Sequence, residues 1–125
     1  MTKVTAKEMQ SCESEYMDTY ISNNLAAEVV IPENGILSRT LCNDDSLKVV
    51  IFGFARGQEL SAHTAPMPAT IQILSGEATL TLGSEKVEAV AGTFAFMPPF
   101  LNHAILAKTP TVMLLSMIKA ARQEK

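Results

Sequence analysis

The chain has no tryptophan, two tyrosines, two cysteines and two histidines among its 125 residues. Each shortage excludes something. Cys12 and Cys42 stand far apart, with no CxxC and no Cys/His cluster. Neither a disulfide framework nor a zinc ribbon is encoded, and a reducing cytoplasm is the expected compartment. A single Cys12–Cys42 bridge is the one intramolecular disulfide this composition allows. Basic residues are few and scattered: 10 Lys plus Arg against 13 Asp plus Glu give a net charge of −3, so no nucleic-acid or anionic-membrane surface is expected. Long apolar runs are missing too. The longest uncharged stretch, Ala89 to Ala107, is broken by Gly92, Pro98, Pro99, Asn102 and His103, unlike a lipid-exposed helix. The first eight residues, Met1 to Glu8, carry no apolar core, and no secretory leader is expected. There is no Gly-x-Ser-x-Gly and no Cys/His nucleophile pair, and the glycines stand singly rather than in a phosphate-cradling loop.

What is present describes one globular domain. Hydrophobic residues make up 47% and charged residues 18%, a balance that buries a real core without disulfides or a structural metal. Residues 1–24 read as an N-terminal arm, in which Thr5-Ala6-Lys7-Glu8 matches a capping box opening a polar helix over roughly Ala6–Tyr16. From residue 25 to 119 the pattern shortens to apolar segments closed by turn residues: Ala27–Ile31, Ile36–Leu41, Leu47–Ala55, Thr70–Leu74, Ala78–Leu82, Val87–Val90, Thr93–Met97, His103–Ala107 and Thr111–Ile118. Turn signals at this spacing predict an all-β sandwich or barrel. Ala78–Leu82 and Lys86–Val90 alternate cleanly and read as half-buried strands of one hairpin through Gly83-Ser84-Glu85. Thr111–Ile118 is apolar on both faces, as when one side lines a barrel and the other meets a second sheet or subunit. Residues 120–125 form a charged tail.

The two histidines sit in unusual surroundings. Gly57, His63 and Gly76 mark one segment, and Gly92, Pro98 and His103 mark another. These landmarks resemble, in register, the two motifs of the cupin superfamily. The resemblance spans Gly57 to Ala107 and follows the strand rhythm more loosely from Gly35 to Ile118. It implies a double-stranded β-helix, an RmlC-like jelly-roll barrel of a small bacterial kind, which usually pairs as a homodimer. In metal-binding cupins the ligands are two His and a Glu of the first motif and a His of the second. In this chain the second His position holds Ala65, the Glu position Ala69, the final Asn position Ala107, and position 100, usually Gly, holds Phe100. His63 and His103 alone remain as candidate ligands or catalytic groups, with Ala65, Ala69, Ile71 and Ala107 expected along the same pocket wall.

Two imidazoles without a carboxylate leave most of a coordination sphere to solvent. If a divalent iron, nickel, manganese or zinc is to bind, a third donor must come from outside the motif. Glu59 and Gln72 are the nearest polar residues, and strand parity turns Gln72 away. Met67, Met97, Met113, Met117, Phe94, Phe96 and Phe100 suit an apolar cavity or plain barrel core, and no spacing supports a thioether-and-imidazole copper site. Three readings follow. One is a small-molecule-binding cupin with an eroded metal site. The second is an enzyme of the dioxygenase, isomerase or lyase class, using a metal or one histidine as general base. The third is a structural homodimer whose pocket is vestigial.

Overall fold

The computed structural model describes residues 19–119. Its strands are β1 (Ile36–Asn43), β2 (Leu47–Phe54), β3 (Glu59–His63), β4 (Ala69–Ser75), β5 (Glu77–Leu82), β6 (Glu85–Val90), β7 (Phe94–Met97), β8 (His103–Ala107) and β9 (Thr111–Ile118). They form a five-stranded antiparallel sheet, in the order β1-β2-β9-β4-β7, and a four-stranded one, in the order β3-β8-β5-β6. The inner faces pack together as a jelly-roll barrel, the expected fold. The helix expected over Ala6–Tyr16 and the charged tail lie outside the described residues.

Alternation explains which way each strand faces. In the β5–β6 hairpin Leu82 pairs with Glu85 across Gly83-Ser84, so Ala78 and Leu80 turn inward while Thr79 and Thr81 face out. The interior is filled from both sheets: Phe54, Ile71, Ile73 and Met113 from the larger meet Leu80 and Ile105 from the smaller. Burying side chains of this size contributes about 1.5–3 kcal/mol each. Gly76 closes the β4–β5 turn at φ +91°, and a Cβ there would collide with the Pro110 carbonyl oxygen. Only glycine lets that turn slide under the entry to β9.

Ala27–Ile31 is not a strand. Leu25–Glu28 forms a single 3-10 turn, the one helical element among the described residues, and the chain then runs extended to Ile31. The described part of the arm, residues 19–24, holds no helix either. Instead, residues 20–31 make a strap across the outer face of the larger sheet. Tyr20, Leu25, Val29 and Ile31 pack there on Leu41, Ile51, Val112 and Leu114 as a second apolar cluster. The crossing is close: a Cβ on Gly53 of β2 would lie 2.8 Å from the Val30 carbonyl oxygen. A buried charge pins the strap. The Glu28 carboxylate accepts a 2.8 Å hydrogen bond from Ser22 Oγ and lies 3.5 Å from Arg39 Nη1, which also donates to the Glu28 carbonyl. With both partners supplied, the carboxylate can leave water.

The strap accounts for β9. Met113, Leu115 and Met117 face the barrel interior, while Val112 and Leu114 lie under the chain's own strap. The second apolar face is therefore covered in part from within. Farther across the sheet, Phe94 and Phe96 of the edge strand β7 remain 60% and 56% exposed.

Candidate functional site

The site lies where β3 and β8 run side by side. A bulge between Leu60 and His63 shifts the register so that His63 stands directly opposite His103. Leu60 packs against the core and His63 faces the mouth, although an odd spacing would set them on opposite sides of a regular strand. The ring centroids are 4.3 Å apart with planes inclined at 59°. Each ring is anchored in the same way. His63 Nδ1 is 2.8 Å from the Ser61 carbonyl oxygen and His103 Nδ1 is 2.9 Å from that of Leu101. A carbonyl only accepts, so both Nδ1 atoms carry the hydrogen and donate. In the neutral rings both Nε2 atoms keep their lone pairs.

The turn before β8 ties the two histidine-bearing segments together. Leu101 N donates to the Pro98 carbonyl at 3.3 Å, and Phe100 N donates to the Ala65 carbonyl at 2.7 Å. Phe100 adopts φ +67°, the left-handed region, with its ring 67% exposed. The resembled pattern has glycine here, and the backbone keeps the glycine conformation under a phenylalanine. Strain of this kind costs about 1–2 kcal/mol.

Beneath the histidines is a cavity of about 60 Å³. Ala65 and Ala69 line it from the first segment, Met97, Pro98 and Leu101 from the second, with Met67 between them and Leu115 and Met117 from β9. Register explains the grouping: Ala69 of β4 is paired with Met97 on one side and Met117 on the other, so the three side chains share one inward row. Ile71 and Ala107 do not line the cavity. Ile71 lies one inward row deeper, about 7 Å along the strand, and is 3% exposed in the core. Ala107 shares the face of His103 but sits four residues on, about 13 Å toward the far end of the barrel, paired with Ala78 and fully buried. Parity indicates the face of a residue and not its depth. Gln72 is exposed on the outer side, paired with Phe94 and Leu114, as parity required. Glu59 is exposed and does not line the cavity, and Met113 belongs to the deep core.

No group of three or more His, Cys, Asp or Glu able to hold a metal occurs among the described residues. The donor positions beside the two imidazoles are occupied by the methyl groups of Ala65 and Ala69. Iron, nickel, manganese or zinc normally takes three or more protein donors from nitrogen, oxygen or thiolate, and these residues do not fit such an ion.

A second cavity of about 250 Å³ lies between the strap and the outer sheet face, lined by Tyr20, Ser22, Leu25, Leu41, Cys42, Val49 and Leu114. Sequence reasoning missed it because a strap and a strand leave the same apolar signature. It holds no histidine or carboxylate. Among the described residues no helix is long and apolar enough to cross a membrane.

Comparison with known proteins agrees with this architecture. The family model described as Cupin domain matches residues 50–118. No curated protein matches the sequence. Among solved structures, a conserved protein of unknown function from Streptococcus pyogenes is 34% identical, with TM-score 0.73 over 82% of this chain and 96% of its own. A cupin superfamily protein from Desulfitobacterium hafniense is 29% identical, with TM-score 0.74 over 78% of this chain and 89% of its own. Salicylate 1,2-dioxygenase from Pseudoaminobacter salicylatoxidans is similar in fold alone, at 13% identity and TM-score 0.63 over 66% of this chain and 26% of that one.

Proposed function

The chain belongs to the cupin domain family, and on that premise we propose that it binds a compact small molecule at the barrel mouth without divalent-metal chemistry. One observation carries the reading: Ala65 and Ala69 line the cavity beside His63 and His103. The result is an apolar well with two imidazoles at its rim. At about 60 Å³ the well is far smaller than the roughly 300–1,000 Å³ of a drug-sized ligand site, so its ligand has few non-hydrogen atoms. Apolar contact with the methionines would supply affinity, and the histidine Nε2 atoms would orient a polar end.

The test is a fragment screen by NMR on the purified protein. Binders should shift the His63 and His103 ring signals and lose affinity in Ala65→Leu, which fills the well. Stoichiometric iron, nickel, manganese or zinc in purified protein, surviving a chelator, would overturn this reading.

The fixed tautomers support a second reading, a metal-free isomerase or lyase with one Nε2 as general base. It predicts solvent-deuterium exchange into a carbon acid, abolished by His63→Ala or His103→Ala. We further propose a cytoplasmic homodimer. Sparse cysteine supports the compartment, and Phe94 and Phe96, bare on the β7 edge, support pairing of two copies.

A further inference from the structure

The cavity under the strap differs from ordinary packing in two ways. Its volume is about 250 Å³, whereas well-packed interiors leave few voids larger than a water molecule. It is also lined by a residue with an unmet polar atom. The Tyr20 hydroxyl is buried and has no hydrogen-bond partner among the described residues. Ser22, the other hydroxyl in the lining, is engaged in both roles: its Oγ donates to Glu28 Oε2 at 2.8 Å and accepts from Asn24 N at 3.4 Å. Buried polar groups are nearly always paired, so an unpaired one calls for a partner from elsewhere. A bound water needs several polar contacts, and the aliphatic side chains of Leu25, Leu41, Val49 and Leu114 supply none.

The chemistry of the wall selects the occupant. Burial, and after it the neighbouring Glu28 carboxylate, push the Tyr20 pKa above its ordinary value, so the hydroxyl keeps its proton and can donate. A ligand group that meets it must therefore accept. The same carboxylate opposes an anion there, while Arg39 acts more weakly in the opposite sense and is itself paired with Glu28. Aliphatic walls make any charge costly to strip of water. Size sets the rest. An apolar cavity of about 150 Å³ takes benzene, so one of about 250 Å³ takes a single ring with a short substituent, roughly nine or ten non-hydrogen atoms. We propose that the cavity under the strap is a second ligand site, for a neutral single-ring or equally compact apolar molecule whose carbonyl-type oxygen accepts from Tyr20. The site is independent of the barrel mouth, with which it shares no lining residue.

Three probes of nearly equal shape isolate each requirement on the full chain: acetophenone, neutral with an acceptor; isopropylbenzene, with a methyl group in place of that oxygen; and benzoate, an anion. Titrations are followed by the methyl NMR signals of Leu25, Leu41, Val49 and Leu114, which line the cavity, with the His63 and His103 ring signals as a control for the mouth. Acetophenone should shift the methyl set, leave the histidines still, and bind about 10-fold more tightly than isopropylbenzene. Benzoate should bind more weakly than either. Tyr20→Phe removes an unpaired hydroxyl and should fold as well as wild type. It should erase the preference for acetophenone while isopropylbenzene binds no less tightly. In a Cys12→Ser background, saturating acetophenone should slow alkylation of Cys42 by iodoacetamide several-fold, since Cys42 lines the cavity. No binding of any probe, benzoate binding as tightly as acetophenone, or a preference that survives Tyr20→Phe would overturn the inference. Cys42 already shielded with no probe bound, and the methyl signals unmoved by all three, would show the chain's own upstream residues in the cavity and would overturn it too. Shifts confined to the histidine rings would overturn it while supporting a ligand at the mouth, so the two proposals fail separately.

Discussion

Putting a carboxylate and a third imidazole back beside His63 and His103 should convert a metal-indifferent protein into a metal-stabilised one. The perturbation is Ala65→His/Ala69→Glu. Ala69 is 5% exposed and paired between Met97 and Met117, so a glutamate there enters an apolar wall. Without metal its carboxyl lacks a partner, and the cost is about 1–3 kcal/mol. With metal, two native and two introduced side chains surround one point. An ion at a thousandfold excess over its dissociation constant then returns about 4 kcal/mol. For a domain of this size that is a rise of roughly 15 °C in Tm. Calorimetry of both proteins with Zn(II) or Ni(II), and again with chelator, reads the difference directly. The wild type should stay flat, and the apo double variant should melt below it. If the wild type gains as much as the variant, an unrecognised third ligand exists and the eroded-site reading fails. If the variant folds yet ignores metal, positions 65 and 69 do not face the histidines.

Four further outcomes are expected. Phe100→Gly should raise stability by about 0.5–1 kcal/mol, because relief of left-handed strain outweighs the entropy glycine adds to the unfolded chain; a lower Tm would contradict the strain at Phe100. Gly76→Ala should cost more than about 1 kcal/mol in chemical denaturation, since its Cβ meets backbone rather than a movable side chain. Asp44 accepts hydrogen bonds from Ser46 N at 2.8 Å and Leu47 N at 3.0 Å, and these hold its pKa below the ordinary aspartate value. Its stabilisation is therefore complete above the unfolded pKa and lost as pH falls through the depressed folded one, so Asp44→Ala should be less stable than wild type at pH 7 and equal to it in strong acid. An equal gap at both pH values would count against those bonds. Light scattering at micromolar concentration should give the mass of two copies, and a monomeric mass would remove the pairing proposal.

The parts legible in the sequence are those governed by local periodicity. Ala78-Thr79-Leu80-Thr81-Leu82 could only bury Ala78 and Leu80 together, and it does. His63, Ala65, Ala69 and His103 were placed at one mouth by motif spacing, and they share the cavity. Ile71 and Ala107 share the inward face but not the depth, because a period of two carries no information on height along the barrel axis. β3 escaped the list of apolar segments because Glu59-Leu60-Ser61-Ala62-His63 is mostly exposed and bulged, which breaks alternation. Ala27–Ile31 has the composition of a strand and becomes a strap, because its partner is the outer sheet face met at Gly53 and Arg39 rather than a sheet edge. The cavity's methionines come from chain positions as distant as 67 and 117, and the pairing of β4 with both β7 and β9 brings them together.

The strap also separates two ideas of what a domain is. The stretch by which the family is recognised begins at Val50, inside β2, whereas the strap and β1 lie upstream of it. Yet those upstream residues cover Ile51, Val112 and Leu114. The family signature is thus shorter than the stretch of chain that packs around the barrel. A fragment cut to the signature would bare both an unpaired β2 edge and an apolar sheet surface at once, the combination that recruits other chains into aggregates. Residues that carry no motif at all close the outer face of the larger sheet.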